Sequence, residues 1–500
     1  MARQDFALGR KIERWFGPWQ VQLVWFLLFS LVTRWTMLGD PNYHDDETLF
    51  FLIGQKMLDG FIPYVDIWDR KGPGLFALFA GFAAISDSVL SYQIGALVCA
   101  ALTAFFLARI AYLYTGRLGA MLAGTFYLAL LPRILGGGGQ AGVFINLPII
   151  MAAWLVLAYP VGRTVTRRAL LAMLLCGVAI SFKQTSVFDG AFFGLVLLWQ
   201  HHKAGAGPRQ IALAALAYCG AGAAPMVLAG LAYAAMGHFD ALWHAMVLSN
   251  LDRDYVFQIE FGRRVLVLTA MIVPVLPLVL IGLAKPLPYD GKQPARGLLA
   301  GWLLVTLAQL VAIPNLIDHY LIPVLLVMCL CAATTLQREV IAILVAVLLV
   351  PVMLRGPAFN QADREISRHN IAALAQQIRA DGPQPRPFLF QGPVALYSAT
   401  DTLPPTPLVF WLHLSGKQER NASQFDTAAE VRRVLAWQPT TVMIQHFQYP
   451  AYTNTETLGL VHAYVREHCR VMKTWNLPNR YGRKLFDVYS QCSVAGGAAA

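Results

Sequence analysis

The chain has 500 residues, 57% of them hydrophobic and only 13% charged, with a mean hydropathy of +0.52. An ordinary soluble domain carries roughly 25% charged residues, so this composition excludes a soluble globular enzyme and specifies a polytopic α-helical membrane protein. The formal net charge is +11, but the 39 Lys and Arg punctuate apolar segments instead of forming one patch, which suits lipid headgroups and excludes nucleic acid as a partner.

In chain order, Arg3, Arg10, Lys11 and Arg14 precede an apolar run over 21–38 with no small-residue cleavage site behind it. That is the pattern of a start helix rather than of a removable signal. A bilayer core of roughly 30 Å takes about 20 apolar residues per helix, and fewer inside a bundle. On that scale 21–38, 89–113, 118–132, 141–160, 169–186, 190–201, 211–236, 265–284, 297–314, 320–336 and 340–354 are expected to span, making about eleven crossings.

The apolar stretch 73–86 is shorter than a span, and charge decides its role. Laid along the membrane surface as an interfacial helix, it leaves the loops with Arg117, with Arg163, Arg167 and Arg168, with Lys203 and Arg209, and with Lys285, Lys292 and Arg296 on the side of the basic N-terminus. Cationic loops favour the cytoplasm, so the N-terminus is expected inside and, with an odd number of crossings, the C-terminal region outside. The expected division is a membrane domain over 1–355, its first external loop at 39–88, and a small external α/β domain over 356–495. In that domain strand-like 387–392 and 440–445 alternate with helix-like 427–438 and 457–469.

This topology gathers the unusual polar residues on the external face. "YHDDE" at 43–47 supplies an acidic loop with Asp45, Asp46 and Glu47; "WDRK" supplies Arg70 and Lys71; Arg133 precedes "GGGGQ" at 136–140, read as a flexible loop. Lys183 lies near the external end of one span, and His319 and Tyr320 open another. Ionisable groups near the apolar core are costly and are usually kept for a task. A carboxylate there can take a proton from an attacking hydroxyl, while Arg70 and Lys71 suit a phosphate, by planar fork and by point charge. The competing readings are a solvated acidic run, headgroup contact, and aromatic-belt residues. The glycine tract lacks the Lys and Ser or Thr of a phosphate loop, which argues against a nucleotide site.

Cys99, Cys176, Cys219, Cys329 and Cys331 lie in apolar runs, where Cys acts as a small hydrophobe. Cys469 and Cys492 instead flank two short strands joined by "NLPNRYGRK". Residues just outside two antiparallel strands face one another, so this pair is a disulfide candidate.

An acidic pair opening the first external loop, followed by "LDGFIPYVDIWDRKGP" at 58–73, resembles the bacterial relatives of dolichyl-phosphate-mannose protein mannosyltransferases. This GT-C superfamily of membrane glycosyltransferases includes the aminoarabinose transferases of lipid A and the galacturonosyltransferases of rhizobial lipopolysaccharide. The similarity covers about residues 40–190, with "DHYLIP" at 318–323 as a second anchor. It implies that Asp46 and Glu47 match the pair holding the catalytic carboxylate, and that Lys71 lies near the lipid phosphate. Gly72 stands between Lys71 and Pro73 where the family has Lys-Pro-Pro, and Asp45 is an extra acid ahead of the pair, so the base is either Asp45 or Asp46.

Both lines of reading imply one reaction at a bacterial inner membrane. A polyprenyl-phosphate-linked sugar is presented outside, an acceptor hydroxyl of lipid A or core, polysaccharide or protein attacks the anomeric carbon, and Arg70, Lys71, Lys183, His319, Tyr320 and Arg133 stabilise the departing lipid phosphate. No cofactor is required; a divalent metal can assist the phosphate, but no ligand spacing demands one. The competing classes are a transporter or lipid-linked sugar flippase, and a non-catalytic assembly or sensor protein. No internal repeat of the kind many transporters carry is visible.

Overall fold

The computed structural model describes residues 14–253, 261–284, 296–312, 316–354, 356 and 359–492. Arg3, Arg10, Lys11, Lys285 and Lys292, on which the orientation reading leans, lie outside the described residues. The chain forms two compact units. One comprises Met1–Thr36, Ile94–Ala229 and Phe257–Phe359; the other comprises Met37–Gln93, Gly230–Val256 and Asn360–Ala500.

Every predicted apolar stretch contains a helix, from Trp19–Val32, which stops short of the end expected at 38, through Ala141–Ala158 to Glu339–Leu354. Leu321–Leu336 is the innermost helix of the first unit, buried at every position except Pro323. Small residues let neighbours approach it: a Cβ at Gly282 would collide with the backbone carbonyl of Cys331, and one at Gly142 would fall 3.0 Å from the Ile322 side chain. Among the described residues four helices are long and apolar enough to cross a membrane, or five if one bent pair counts as a span.

The stretch 265–284, read as one continuous span, is not one continuous helix. Phe261–Ile272 and Leu276–Ala284 are separate helices bent by 66°. Pro274 lies in the break and Pro277 just after it, and a proline removes a backbone donor and clashes with the carbonyl four residues earlier. The glycine tract also differs from expectation. Gly136–Gly139 are buried, in a tight turn where Leu135 takes the left-handed conformation at φ 65° and the Gly136 amide donates to the Leu131 carbonyl at 2.9 Å. Arg34 Nη2 donates to the Gly136 carbonyl at 2.9 Å. Glycine here permits close packing of a turn rather than an exposed, flexible loop.

The second unit carries a four-stranded sheet in the order β1-β2-β4-β3, with β1 (Pro387–Phe388) parallel to β2 (Thr441–Gln445) and the β2–β4 and β4–β3 pairs antiparallel, β3 being Cys469–Asn476 and β4 Leu485–Cys492. The strand expected over 387–392 is only two residues long, because the chain turns at 390–392. Helices Thr427–Ala436 and Thr455–His468 match the amphipathic stretches, each capped by the side chain before it, Asp426 on the Ala429 amide and Asn454 on the Thr457 amide. Helix Gln361–Arg379 was not singled out in the sequence. It is fastened by Arg364, whose Nη1 lies 2.6 Å from Asp40 Oδ2 while Ser367 donates to Asp40 Oδ1 at 2.7 Å.

The stretch 73–86 is the helix Pro73–Ile85, with Gly72 as N-cap and Pro73 at the first helical position, where proline's missing donor costs nothing. It packs against helix Asp45–Leu58 through Phe50, Phe76 and Phe79. The two helices touch because Gly54 has no side chain: a Cβ there would lie 2.5 Å from the Phe79 backbone.

Candidate active site

The acids at 45–47 do not form a loop. They are the first turn of helix Asp45–Leu58, and His44 is its N-cap, with Nδ1 accepting from the Asp46 amide at 3.2 Å. Burial pushes the His44 imidazole below its ordinary value against the pull of Asp46 and Asp45. Three carboxylates at the positive end of a helix are held where negative charge is favoured. Glu47 is fully buried, whereas Asp45 and Asp46 are half-buried.

The cationic turn belongs to the same unit. Tyr64 takes the left-handed conformation at φ 70°, its amide donates to the Ile67 carbonyl at 2.7 Å, and its hydroxyl donates to the Lys71 carbonyl at 2.8 Å. These bonds fold 62–72 back on itself and fix where Arg70 and Lys71 start. Lys71 Nζ stands 3.5 Å from Asp69 Oδ1 and over the Phe50 ring at 5.1 Å. Arg70 lies over the Trp68 ring and reaches Glu419, Nη2 to Oε2 at 2.6 Å, while Arg253 Nη2 meets the other oxygen of the same carboxylate, also at 2.6 Å.

Glu419 is therefore a buried carboxylate facing two guanidinium groups. Burial pushes its carboxyl up, but Arg70, Arg253 and His413 outweigh burial and hold it below the usual range. His413 packs edge-on against Trp68 at 4.7 Å. Burial drives its imidazole down to about 4, against Glu419 and Asp69, so it is neutral near pH 7.

Asp45 faces residues of the C-terminal part of the chain. Its Oδ2 accepts from Trp411 Nε1 at 3.2 Å and lies 3.7 Å from Lys484 Nζ. Glu419, Arg253, His413, Trp411 and Lys484 were all missed in the sequence. "KQER" reads locally as a solvated charge run and "GRK" as an ordinary turn, so neither carried a signal.

Lys183, His319, Tyr320 and Arg133 belong to the other unit. Lys183 caps the C-terminal end of helix Arg167–Phe182 in extended conformation, and its Nζ sits 3.9 Å from the centre of the Tyr320 ring. His319 is buried and packs edge-on to Tyr320 at 4.8 Å. These three are brought together, whereas Arg133 is exposed in a separate turn. Among the described residues no group of three or more His, Cys, Asp or Glu is placed to hold a metal ion.

Cys469 and Cys492 are joined by a disulfide. They stand inside the strands rather than beyond them, as the register pair closing the open end of the β3–β4 hairpin.

The architecture is shared with a solved structure over nearly the whole chain. The structure of ArnT from Cupriavidus metallidurans bound to undecaprenyl phosphate matches with a TM-score of 0.57 at 13% identity, covering 95% of this chain and 99% of that one. The Archaeoglobus fulgidus oligosaccharyltransferase in complex with Zn and sulfate aligns with a TM-score of 0.41 at 12% identity, over 73% of this chain and 56% of that chain. No family model and no curated protein sequence matches the chain.

Proposed function

We propose that the chain is an integral-membrane glycosyltransferase that moves a sugar from a polyprenyl-phosphate donor to an envelope acceptor on the periplasmic side of a bacterial inner membrane. The observation that carries this reading is the presence, in one compact unit, of three carboxylates at the head of a helix and a cationic turn holding Arg70 and Lys71. The fold likeness to ArnT, solved with undecaprenyl phosphate, supports the donor class.

In this mechanism Asp46 accepts the proton of an acceptor hydroxyl as its oxygen bonds to the anomeric carbon. The bond from that carbon to the phosphate oxygen breaks, and the electron pair leaves with the lipid phosphate. Lys71 and Arg70 balance the charge developing on it. About eleven crossings put 356–495 outside. A divalent metal would add charge at the same phosphate.

The test is incubation of purified protein with a panel of undecaprenyl-phosphate-linked pentoses and hexoses and an envelope extract, reading free undecaprenyl phosphate and the mass shift of the acceptor. No release with any donor would overturn the assignment. The bent pair Phe261–Ile272 and Leu276–Ala284 favours a second reading, since transporters and flippases use broken helices. That reading predicts movement of the lipid-linked sugar across vesicles with its glycosidic bond intact.

A further inference from the structure

The proposed chemistry uses the acids at 45–47 and the turn at 70–71, and leaves unexplained why the β3–β4 hairpin is built as it is. Its connection, 477–484, is anchored on the segment just before the acidic turn. Asn42 Nδ2 donates to the Pro478 carbonyl at 3.1 Å, the Arg480 amide donates to the Tyr43 carbonyl at 2.9 Å, and Arg364 Nη2 donates to the Asn479 carbonyl at 2.6 Å.

The turn itself is rigid. Asn479 and Gly482 bond to each other through their backbones, the Tyr481 amide donates to Asn479 Oδ1 at 2.9 Å, and Gly482 sits at φ 95°, a conformation that side chains resist. The Leu477 amide closes the connection on the Lys484 carbonyl at 2.8 Å. The disulfide closes the other end of the same hairpin.

What this scaffold presents is Lys484. Its ammonium is flanked by the Trp411 and Tyr481 rings at 5.5 and 5.9 Å and faces Asp45 Oδ2, the oxygen that also accepts from Trp411 Nε1. Both members of the pair are mostly shielded from solvent, with side-chain exposures of 22% for Lys484 and 14% for Asp45. An oxygen that holds an indole donor and faces a cation is committed. It anchors the carboxylate and, through the helix backbone, the neighbouring residue of the same first turn.

We infer that Lys484 and Trp411 are positioning residues for the transfer reaction. By fixing Asp45 they orient the helix turn that carries Asp46, so the C-terminal hairpin completes the reacting site. Asp45 is then the anchored acid of that turn. This inference rests on the glycosyltransferase reading above.

The test is a double-mutant cycle in the full-length protein, reading undecaprenyl phosphate release from the donor panel. Lys484→Met is expected to lower kcat about tenfold, the low end of what a charge-assisted contact carries, with donor KM unchanged. Lys484→Arg should restore most of the loss, and Trp411→Phe should act in the same direction. If Lys484 acts through Asp45, Lys484→Met adds no further loss in an Asp45→Asn background. Losses that multiply in the double variant, or wild-type kcat in Lys484→Met, would overturn the inference while leaving the transferase reading intact. A wild-type protein that releases no undecaprenyl phosphate from any donor would overturn both. Circular dichroism and melting of each variant separate a misfolded hairpin from a misplaced acid, and Lys484→Arg keeps the cycle readable if Lys484→Met fails to fold.

Discussion

Arg70 Nη2 lies 2.6 Å from Glu419 Oε2, and the carboxylate that holds it also holds Arg253. Residues from the first loop region, from the segment 230–256 and from the C-terminal part of the chain therefore meet on one buried carboxylate. Removing the carboxylate leaves two guanidinium groups facing each other with little solvent. Glu419→Ala is expected to cost about 3–5 kcal/mol, the usual penalty for breaking a buried pair from one side. Thermal or denaturant unfolding of purified protein checks it, and a change under 1 kcal/mol would mean that water already screens the cluster.

The same cluster sets an acid dependence. His413 is neutral when folded, its value depressed by burial from 6.5 to about 4, so between those values the unfolded chain binds the extra proton and stability falls as pH is lowered. Glu419 has the opposite charge but the same sense. Its carboxyl is held below the ordinary value of 4.5, so its contribution is present above that value and is lost as pH drops through the folded one. The expected profile declines from about pH 6.5 and steepens below about 4.5. His413→Gln should flatten the upper part and leave the lower; an unchanged upper part would remove His413 as its source.

Asp46→Asn is expected to abolish sugar transfer with folding and membrane insertion intact, since the amide keeps the size and cannot accept the proton. Asp45→Asn should leave measurable turnover. Wild-type release of undecaprenyl phosphate by the Asp46 variant would move the base elsewhere.

Lys71→Ala and Lys183→Ala are expected to weaken donor binding or slow departure of the lipid phosphate. A charge-assisted contact to phosphate carries about 1.5–3 kcal/mol, or roughly 10- to 150-fold in turnover or donor KM. Lys71 has Asp69 at 3.5 Å and Lys183 the Tyr320 ring at 3.9 Å, so each is partly neutralised or shielded at rest, which favours the lower end. Unchanged kinetics in both variants would mark them as structural.

The hairpin disulfide should be recoverable. Peptide mapping without reductant, with thiols blocked at lysis, is expected to yield Cys469 linked to Cys492. The Cys469→Ser/Cys492→Ser protein should lose about 3 kcal/mol by the chain-entropy account. Alkylated thiols at both positions would count against the bond and against a periplasmic location.

Much of this architecture is local and was legible. Apolar runs became helices because a chain in or near lipid has to satisfy its own backbone. The two C-terminal strands and their Asn- and Gly-containing turn paired as read, because alternation and turn chemistry act over a few residues. The break in 265–284 was written in Pro274 and Pro277 and was passed over in favour of hydropathy, and the acids read as a loop were already preceded by a capping residue. The partners of the site were not legible. Trp411 meets Asp45 across 366 residues of chain, and Glu419, in a stretch that looks like ordinary solvated charge, becomes the anchor of two arginines. The acidic and basic residues are set by the sequence, but which oxygen faces which cation depends on the close packing of segments distant along the chain. That packing is settled by burial and by the cost of leaving a charge unpaired inside, and neither has a signature in the residues on either side.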